Sequence, residues 1–104
     1  MFGSGNYEEA LKAYSQLADM GDVGAVTALA HMHLKGEGTT VDHAKGLEML
    51  KLACSLGDRY AAFSLGAFHR SGNYGVSIDL EKSREYFLLA KELGFVELDV
   101  TKFL

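Results

Sequence analysis

Four histidines, a cysteine and two regularly placed aspartates are the residues of this 104-residue chain whose types could do chemistry. His31 and His33 are two positions apart, which on a helix turns their side chains about 200° from each other, so they cannot chelate one ion together. His33 and His69 stand at equivalent positions of an internal repeat, where two imidazoles could meet as a pH-sensitive or metal-bridged pair. Both lie on an apolar helix face, and the expectation is that they pack there. Cys54 is the only cysteine, which excludes an internal disulfide and a multi-cysteine metal site. It replaces a small core residue and is expected to be inert. Asp42 and Asp79 begin helical segments, so they read as N-caps rather than as an acid–base pair. Gly36-Glu37-Gly38 could cradle a phosphate, but it recurs as Gly72-Asn73-Tyr74-Gly75 where a turn is needed in any case. The sequence contains no His-Glu-x-x-His, Walker loop, Gly-x-Gly-x-x-Gly, Gly-x-Ser-x-Gly or Ser-x-x-Lys. The expectation is a protein that is not an enzyme and holds no metal and no cofactor.

The elements that carry these residues follow from composition and glycine spacing. Hydrophobic residues make up 48% of the chain and charged ones 23%, the balance of a folded domain and not of a disordered segment. Fourteen acidic residues outweigh ten basic ones, and the basic residues are scattered singly, which argues against nucleic acid as a partner. The longest uncharged run, around Gly24 to Leu34, falls short of the roughly 20 apolar residues a membrane span needs. The N-terminal residues lack the basic start and apolar stretch of a secretory signal, so the expected compartment is the cytoplasm. There are 12 glycines and no proline. Gly21, Gly57 and Gly94 recur at intervals of 36 and 37 residues. Aligning residues 21–56 with 57–93, with one insertion near Asn73-Tyr74, gives thirteen identical pairs, among them Asp22/Asp58, Leu29/Leu65, His33/His69, Asp42/Asp79 and Ala53/Ala90. The chain is an internal repeat of a period that points to a solenoid.

Each unit divides into two helical segments. The first runs over Val23–Lys35 and again over Arg59–Ser71, with Asp22 and Asp58 as N-caps. On a helical wheel Ala25, Leu29, Met32 and His33 share one face, as do Ala61, Leu65, Phe68 and His69, and this is the expected packing face. The glycine-containing linker reverses the chain, and Asp42 or Asp79 caps the second helix. That helix is expected to bury Gly46, Leu47, Leu50, Ala53 and Cys54 in one unit and Ser83, Phe87 and Ala90 in the next. Continuing the register backwards makes Ala10, Leu11, Tyr14, Leu17 and Ala18 another second-type helix, with Phe2 to Tyr7 echoing Phe68 to Tyr74. The domain therefore divides into a partial repeat over 1–20, repeats over 21–56 and 57–93, and a degenerate cap over 94–104.

These residues resemble the Sel-1-like repeat, a relative of the tetratricopeptide repeat. Repeat one matches its pattern through Ala25, Leu29, Gly36, Gly38, Asp42, Ala53 and Gly57. Repeat two matches through Ala61, Leu65, Gly66, Gly72, Gly75, Val76, Asp79, Tyr86, Ala90 and Gly94. The sequence departs from the pattern at His33 and His69, where the family carries Tyr, at Ala30 for Gly, at Gly46 and Ser83 for Ala, and at Met49-Leu50 for Trp-Tyr. The resemblance implies an all-α fold, a short right-handed α-solenoid of helix hairpins with about 2.5 repeats, and a non-enzymatic adaptor binding a protein or peptide. Cysteine-rich relatives that act on β-lactams carry a disulfide in each repeat, which a single Cys54 does not provide.

First helices line the concave side of such a solenoid, so partner-binding residues are expected opposite the packing stripe. That face holds Thr27, His31 and Leu34 beside Gly24 in repeat one, and Tyr60, Phe63 and Arg70 beside Ala67 in repeat two. Two aromatics with an arginine are the composition of an interface hot spot. A second expectation concerns the N-terminal end. Ala10, Tyr14 and Leu17 should be partly uncovered there, as a site for self-association or for further repeats. The competing class is a structural or self-assembling segment without a separate ligand.

Overall fold

The computed structural model describes residues 6–95. Five α-helices of 13 residues each follow one another: α1 (Tyr7–Asp19), α2 (Val23–Lys35), α3 (His43–Ser55), α4 (Arg59–Ser71) and α5 (Leu80–Glu92). Each packs against its neighbour in sequence, so the chain is a row of antiparallel hairpins, a short all-α solenoid. No strand occurs among the described residues.

Two kinds of junction alternate, and each has a local cause. After α1, α3 and α5 the helix stops within three residues at Gly21, Gly57 and Gly94, which take φ of 93°, 95° and 109°. The next amide then reaches back five residues: Asp22 N–H donates to the Leu17 carbonyl, Asp58 to Ala53, and Phe95 to Ala90, each at 3.0 Å. After α2 and α4 a longer loop opens at a left-handed glycine, Gly36 or Gly72, and closes where Asp42 N–H donates to the His33 carbonyl and Asp79 to that of His69, both at 2.8 Å. Asp22, Asp42, Asp58 and Asp79 each accept from the amide three residues on, at 3.0 to 3.1 Å, as N-caps do.

The two longer loops differ where the second carries its extra residue. Gly38 presses on the start of α1, where a Cβ would stand 2.6 Å from the Tyr7 carbonyl oxygen. Only glycine fits, for this reason and for its φ of 76°. In the second loop Tyr74 takes φ 55° inside a 3₁₀ turn over Asn73–Gly75, and its ring meets His43 at the start of α3 and Phe68 of α4. An aromatic ring thus makes the contact that bare backbone makes at Gly38.

The first helices bury two stripes rather than one. In α2, Val26, Ala30 and Leu34 join Leu50, Ala53 and Cys54 of α3 in the main core. Ala25, Leu29 and Met32 form a second buried stripe, and Met32 shares its surroundings with Tyr7, Ala10 and Tyr14 of α1. A single-stripe wheel leaves Thr27 and Leu34 for solvent. The structure encloses both, at 7% and 2% exposure, because α3 of the same hairpin covers Leu34 and the start of the following unit, at Asp58, covers Thr27. In the second helices Gly46, Leu50, Ala53 and Cys54 are buried and Leu47 partly so, while Ser83, Phe87 and Ala90 are buried as the pattern requires. At the N-terminal end Leu17 is exposed and Tyr14 half-buried, but Ala10 is buried. Residues 2–5 of the Phe2–Tyr7 echo, and the part of the capping segment from 96 on, lie outside the described residues.

Candidate functional site

The face proposed from the wheel contains six residues, and the structure distributes them over three environments. Thr27 and Leu34 are interior. Thr27 Oγ1 donates to Asp58 Oδ2 at 2.5 Å, tying α2 to the cap of α4, and Leu34 lies over Gly46 with its side chain 2.7 Å from where a Cβ would stand. Neither is accessible to a partner. This corrects their assignment to the binding face.

Phe63 and His31 are partly buried at contacts between units. Phe63 stacks on Phe95 with ring centroids 5.0 Å apart and tilts against Phe87 at 5.3 Å. His31 brings its Nε2 within 3.3 Å of Ser64 Oγ and meets the edge of Phe68 at 6.5 Å. Burial holds the His31 imidazole below its ordinary range, and nearby Lys35 adds to this, while Glu37 and Asp58 oppose it. His31 is therefore a polar contact between neighbouring first helices whose burial disfavours the charged form.

Tyr60 and Arg70 are exposed. Tyr60 and Phe95 meet in a T-shaped arrangement with centroids 5.5 Å apart, and the Arg59 guanidinium carbon lies 5.3 Å from the Tyr60 ring centroid. Ten residues separate Tyr60 from Arg70, about 15 Å along the helix axis, so the two do not form one cluster. The compact group is Arg59, Tyr60, Phe63 and Phe95. Arg59 and Phe95 were not among the expected site residues. Phe95 was legible in the register, since it occupies the position of Asp22 and Asp58 and replaces a cap by a ring.

The groups weighed for chemistry are engaged in packing. His69 stacks flat on Tyr86, centroids 5.7 Å apart, with Nδ1 3.3 Å from the Ser77 carbonyl oxygen. His33 is held low by burial and by Lys45, against the pull of Asp42. The His69 imidazole is thus engaged within its own hairpin. Cys54 is buried and its thiol is pushed up, first by burial and then by Asp58, the reverse of what a reactive thiolate needs. Among the described residues no group of three or more His, Cys, Asp or Glu could hold a metal ion, and every buried side-chain polar atom has a partner. No helix among them is long and apolar enough to cross a membrane.

One open cleft, of about 220 Å³, lies between α1 and α2, lined by Tyr7, Ala10, Tyr14, Ala28, Met32 and Glu37. Two of its residues, Ala10 and Tyr14, belong to the N-terminal surface expected from the register; they are the counterparts of Gly46 and Leu50, which α2 covers one unit later.

A family model, the Sel1 repeat, matches residues 24–58 and 59–95, more than half of the chain. An exopolysaccharide production negative regulator from Rhizobium leguminosarum bv. viciae is 30% identical over 109 residues, covering 92% of this chain and 41% of that protein. Among solved structures, a protective antigen of uropathogenic Escherichia coli strains displaying an SLR fold superposes with a TM-score of 0.74 at 31% identity, over 88% of this chain and 19% of the antigen. A Sel1 repeat protein from Oxalobacter formigenes gives 0.78 at 26% identity, over 86% of this chain and 36% of its own. This chain therefore spans less than half the length of each of these relatives.

Proposed function

Given that the chain belongs to the Sel1 repeat family, whose members typically act through protein–protein contacts, we propose that it is a non-enzymatic adaptor that binds a protein or peptide on the side lined by α2 and α4. The observation that supports this most is the exposed Tyr60 on α4, with the Arg59 guanidinium and the Phe95 ring both in contact with its ring. A rigid aromatic beside an arginine is the composition of an interface anchor, because it offers a large contact area at little entropic cost. His31 and Arg70 extend this surface, and Phe63 stacks on the Phe95 ring that Tyr60 also meets. The relative from Rhizobium is named as a regulator, and regulation through binding is what an adaptor supplies.

The test is a quantitative pull-down from lysate of the source organism. It compares the natural chain with a triple variant, His31→Glu, Tyr60→Glu and Arg70→Glu, that retains native helicity. Loss of a specific partner in the variant is the expected result. An unchanged set of partners would move the contacts off this face and sink the proposal.

A further inference from the structure

The loops within the two hairpins rest on the preceding unit in different ways. In the first, a Cβ at Gly38 would stand 2.6 Å from the Tyr7 carbonyl oxygen, so backbone bears on backbone. In the second, a Cβ at the counterpart Gly75 would meet nothing within 4 Å, so the loop stands clear there. Tyr74 is the residue that repeat one lacks, since Glu37 aligns with Asn73 and Gly38 with Gly75. Its ring spans the gap, with its centroid 5.2 Å from that of His43 at the start of α3 and 5.0 Å from that of Phe68 on α4. A side chain thus ties the second loop to α3 where backbone ties the first to α1.

The backbone beneath that ring is in a conformation its residue type disfavours. Asn73 to Val76 make a tight turn, closed by the Val76 N–H donating to the Asn73 carbonyl at 3.0 Å. Its central residues, Tyr74 and Gly75, have φ of 55° and 79°. Turns of this hand favour Gly, Asn or Asp at both places, because a Cβ there crowds the carbonyl that follows it. Leaving the left-handed region therefore relieves the Tyr74 backbone and forfeits its ring contacts, so two opposed contributions set where it sits. The loop ends are anchored separately, Gly72 N–H donating to the Phe68 carbonyl at 2.7 Å and Asp79 N–H to that of His69 at 2.8 Å. Phe68 in turn meets the His31 ring at 6.5 Å, and His31 Nε2 lies 3.3 Å from Ser64 Oγ. One side chain, Phe68, thus connects the Tyr74 ring to the contact of α2 with α4.

We propose that residues 73–77 are a strap with two states, docked with the Tyr74 ring on His43 and Phe68 and released with that ring in water, and that the docked state stiffens the seam of α2 and α4 at His31. The element with two arrangements is the turn itself, and the contacts at His43 and Phe68 both bias it. Release requires no helix to open, because the anchors at Gly72 and Asp79 lie outside the strap. Every residue involved belongs to the two complete hairpins, so the inference rests on neither end of the chain and not on the Tyr60 surface.

The test is amide hydrogen exchange of the whole chain, read residue by residue by NMR, together with titration of the His31 ring. The Val76 amide reports the strap, since its bond to Asn73 requires the left-handed turn, and Gly72 and Asp79 report the anchors. In the natural chain Val76 should exchange at least about tenfold faster than either anchor, at a rate that low denaturant leaves unchanged, as in a local opening. Tyr74→Gly removes the ring and relieves the backbone, and should speed Val76 by about a further tenfold while helical amides keep their protection. It should also move the His31 titration up toward the ordinary imidazole value, because water gains access beside Phe68. The charges around His31, on Lys35, Glu37 and Asp58, are the same in both proteins. Tyr74→Phe keeps the ring and should leave both readings in place. Deleting Tyr74 restores the spacing of repeat one, and should slow exchange at residues 75–77 as backbone closes on α3. Unchanged Val76 exchange in Tyr74→Gly would overturn the strap, as would lost protection across α4 and α5, which would make the ring a support of the fold. An unchanged His31 titration would overturn the coupling to the seam.

Discussion

The two complete hairpins make the same helix-on-helix contact with the bulk on opposite sides. In residues 21–56 the first helix supplies it: Leu34, 2% exposed, lies over Gly46 of α3. In residues 57–93 the second helix supplies it: Phe87, 1% exposed, presses its ring on Gly66 of α4, 3.0 Å from where a Cβ would stand. The other positions have changed in step. Arg70 replaces Leu34 and is exposed, while Ser83 replaces Gly46 and donates from Oγ to the Gly66 carbonyl at 2.8 Å. The links to the following unit differ too. Thr27 hydrogen-bonds Asp58 in the first, and at the equivalent pair of positions Phe63 stacks on Phe95 in the second. What the repeats hold in common is the volume shared across each contact, not the residue at each position, because a close-packed interior penalises voids and overlaps alike.

The largest expected effect lies at the bulky side chain of the second hairpin. Phe87→Ala should cost about 3–5 kcal/mol in chemical denaturation, since the cavity opens beneath Phe63 and Gly66 together. Converting this contact to the pattern of the first hairpin sharpens the comparison. Phe87→Leu and Gly66→Ala should each destabilise alone, and the double variant should recover part of the loss. Strict additivity of the two changes would break the shared-volume reading.

Gly46→Ala is next, at about 1–3 kcal/mol, even though alanine favours a helix by about 1 kcal/mol. Its Cβ would meet the Ala30 carbonyl, which is backbone and cannot turn aside. A melting midpoint at or above that of the natural chain would contradict the close approach of α2 and α3. The link between units comes third. Asp58→Ala should cost about 1–2 kcal/mol for the cap, plus the Thr27 bond, whereas Asp22→Ala loses only its cap. A double-mutant cycle of Thr27→Val with Asp58→Ala isolates the difference, and zero coupling would remove the link.

The smallest effect is a pH dependence. His31 titrates below its unfolded value of about 6.5 because of burial and then Lys35, with Glu37 and Asp58 pulling the other way. The unfolded chain therefore takes up the proton first as pH falls. Stability from this contact is complete above the unfolded value and declines as pH drops through it toward the folded one. His33 shifts in the same direction. Denaturant midpoints measured from pH 7.5 to 5.5 should fall, and His31→Gln should flatten the profile while Ala67, its counterpart, has no charge to contribute. The range of about two pH units brackets the ordinary imidazole value.

Much of the architecture is legible in the sequence. Glycines at 21, 57 and 94 set the period, and the bounds Val23–Lys35 and Arg59–Ser71 coincide with α2 and α4. All four aspartate caps follow from local rules, because capping is an interaction between a residue and an amide three positions away. The candidate site was legible only in part. Tyr60 and Arg70 are exposed as the wheel implies, but Thr27 and Leu34 are enclosed, since a wheel records one helix and not the two neighbours that flank it.

The sequence by itself therefore determined the helices, their caps, the turns and the repeat, all of which depend on contacts within a few residues. The tertiary structure decided which faces remain open. Leu34 is interior because Gly46 leaves room for it across the hairpin, Arg70 is exposed because Ser83 and Phe87 complete the same contact from the other helix, and Ala28 and Met32 border a cleft where Ser64 and Phe68 meet a neighbouring helix. Burial depends on partners distant in sequence, and no local rule of spacing contains them.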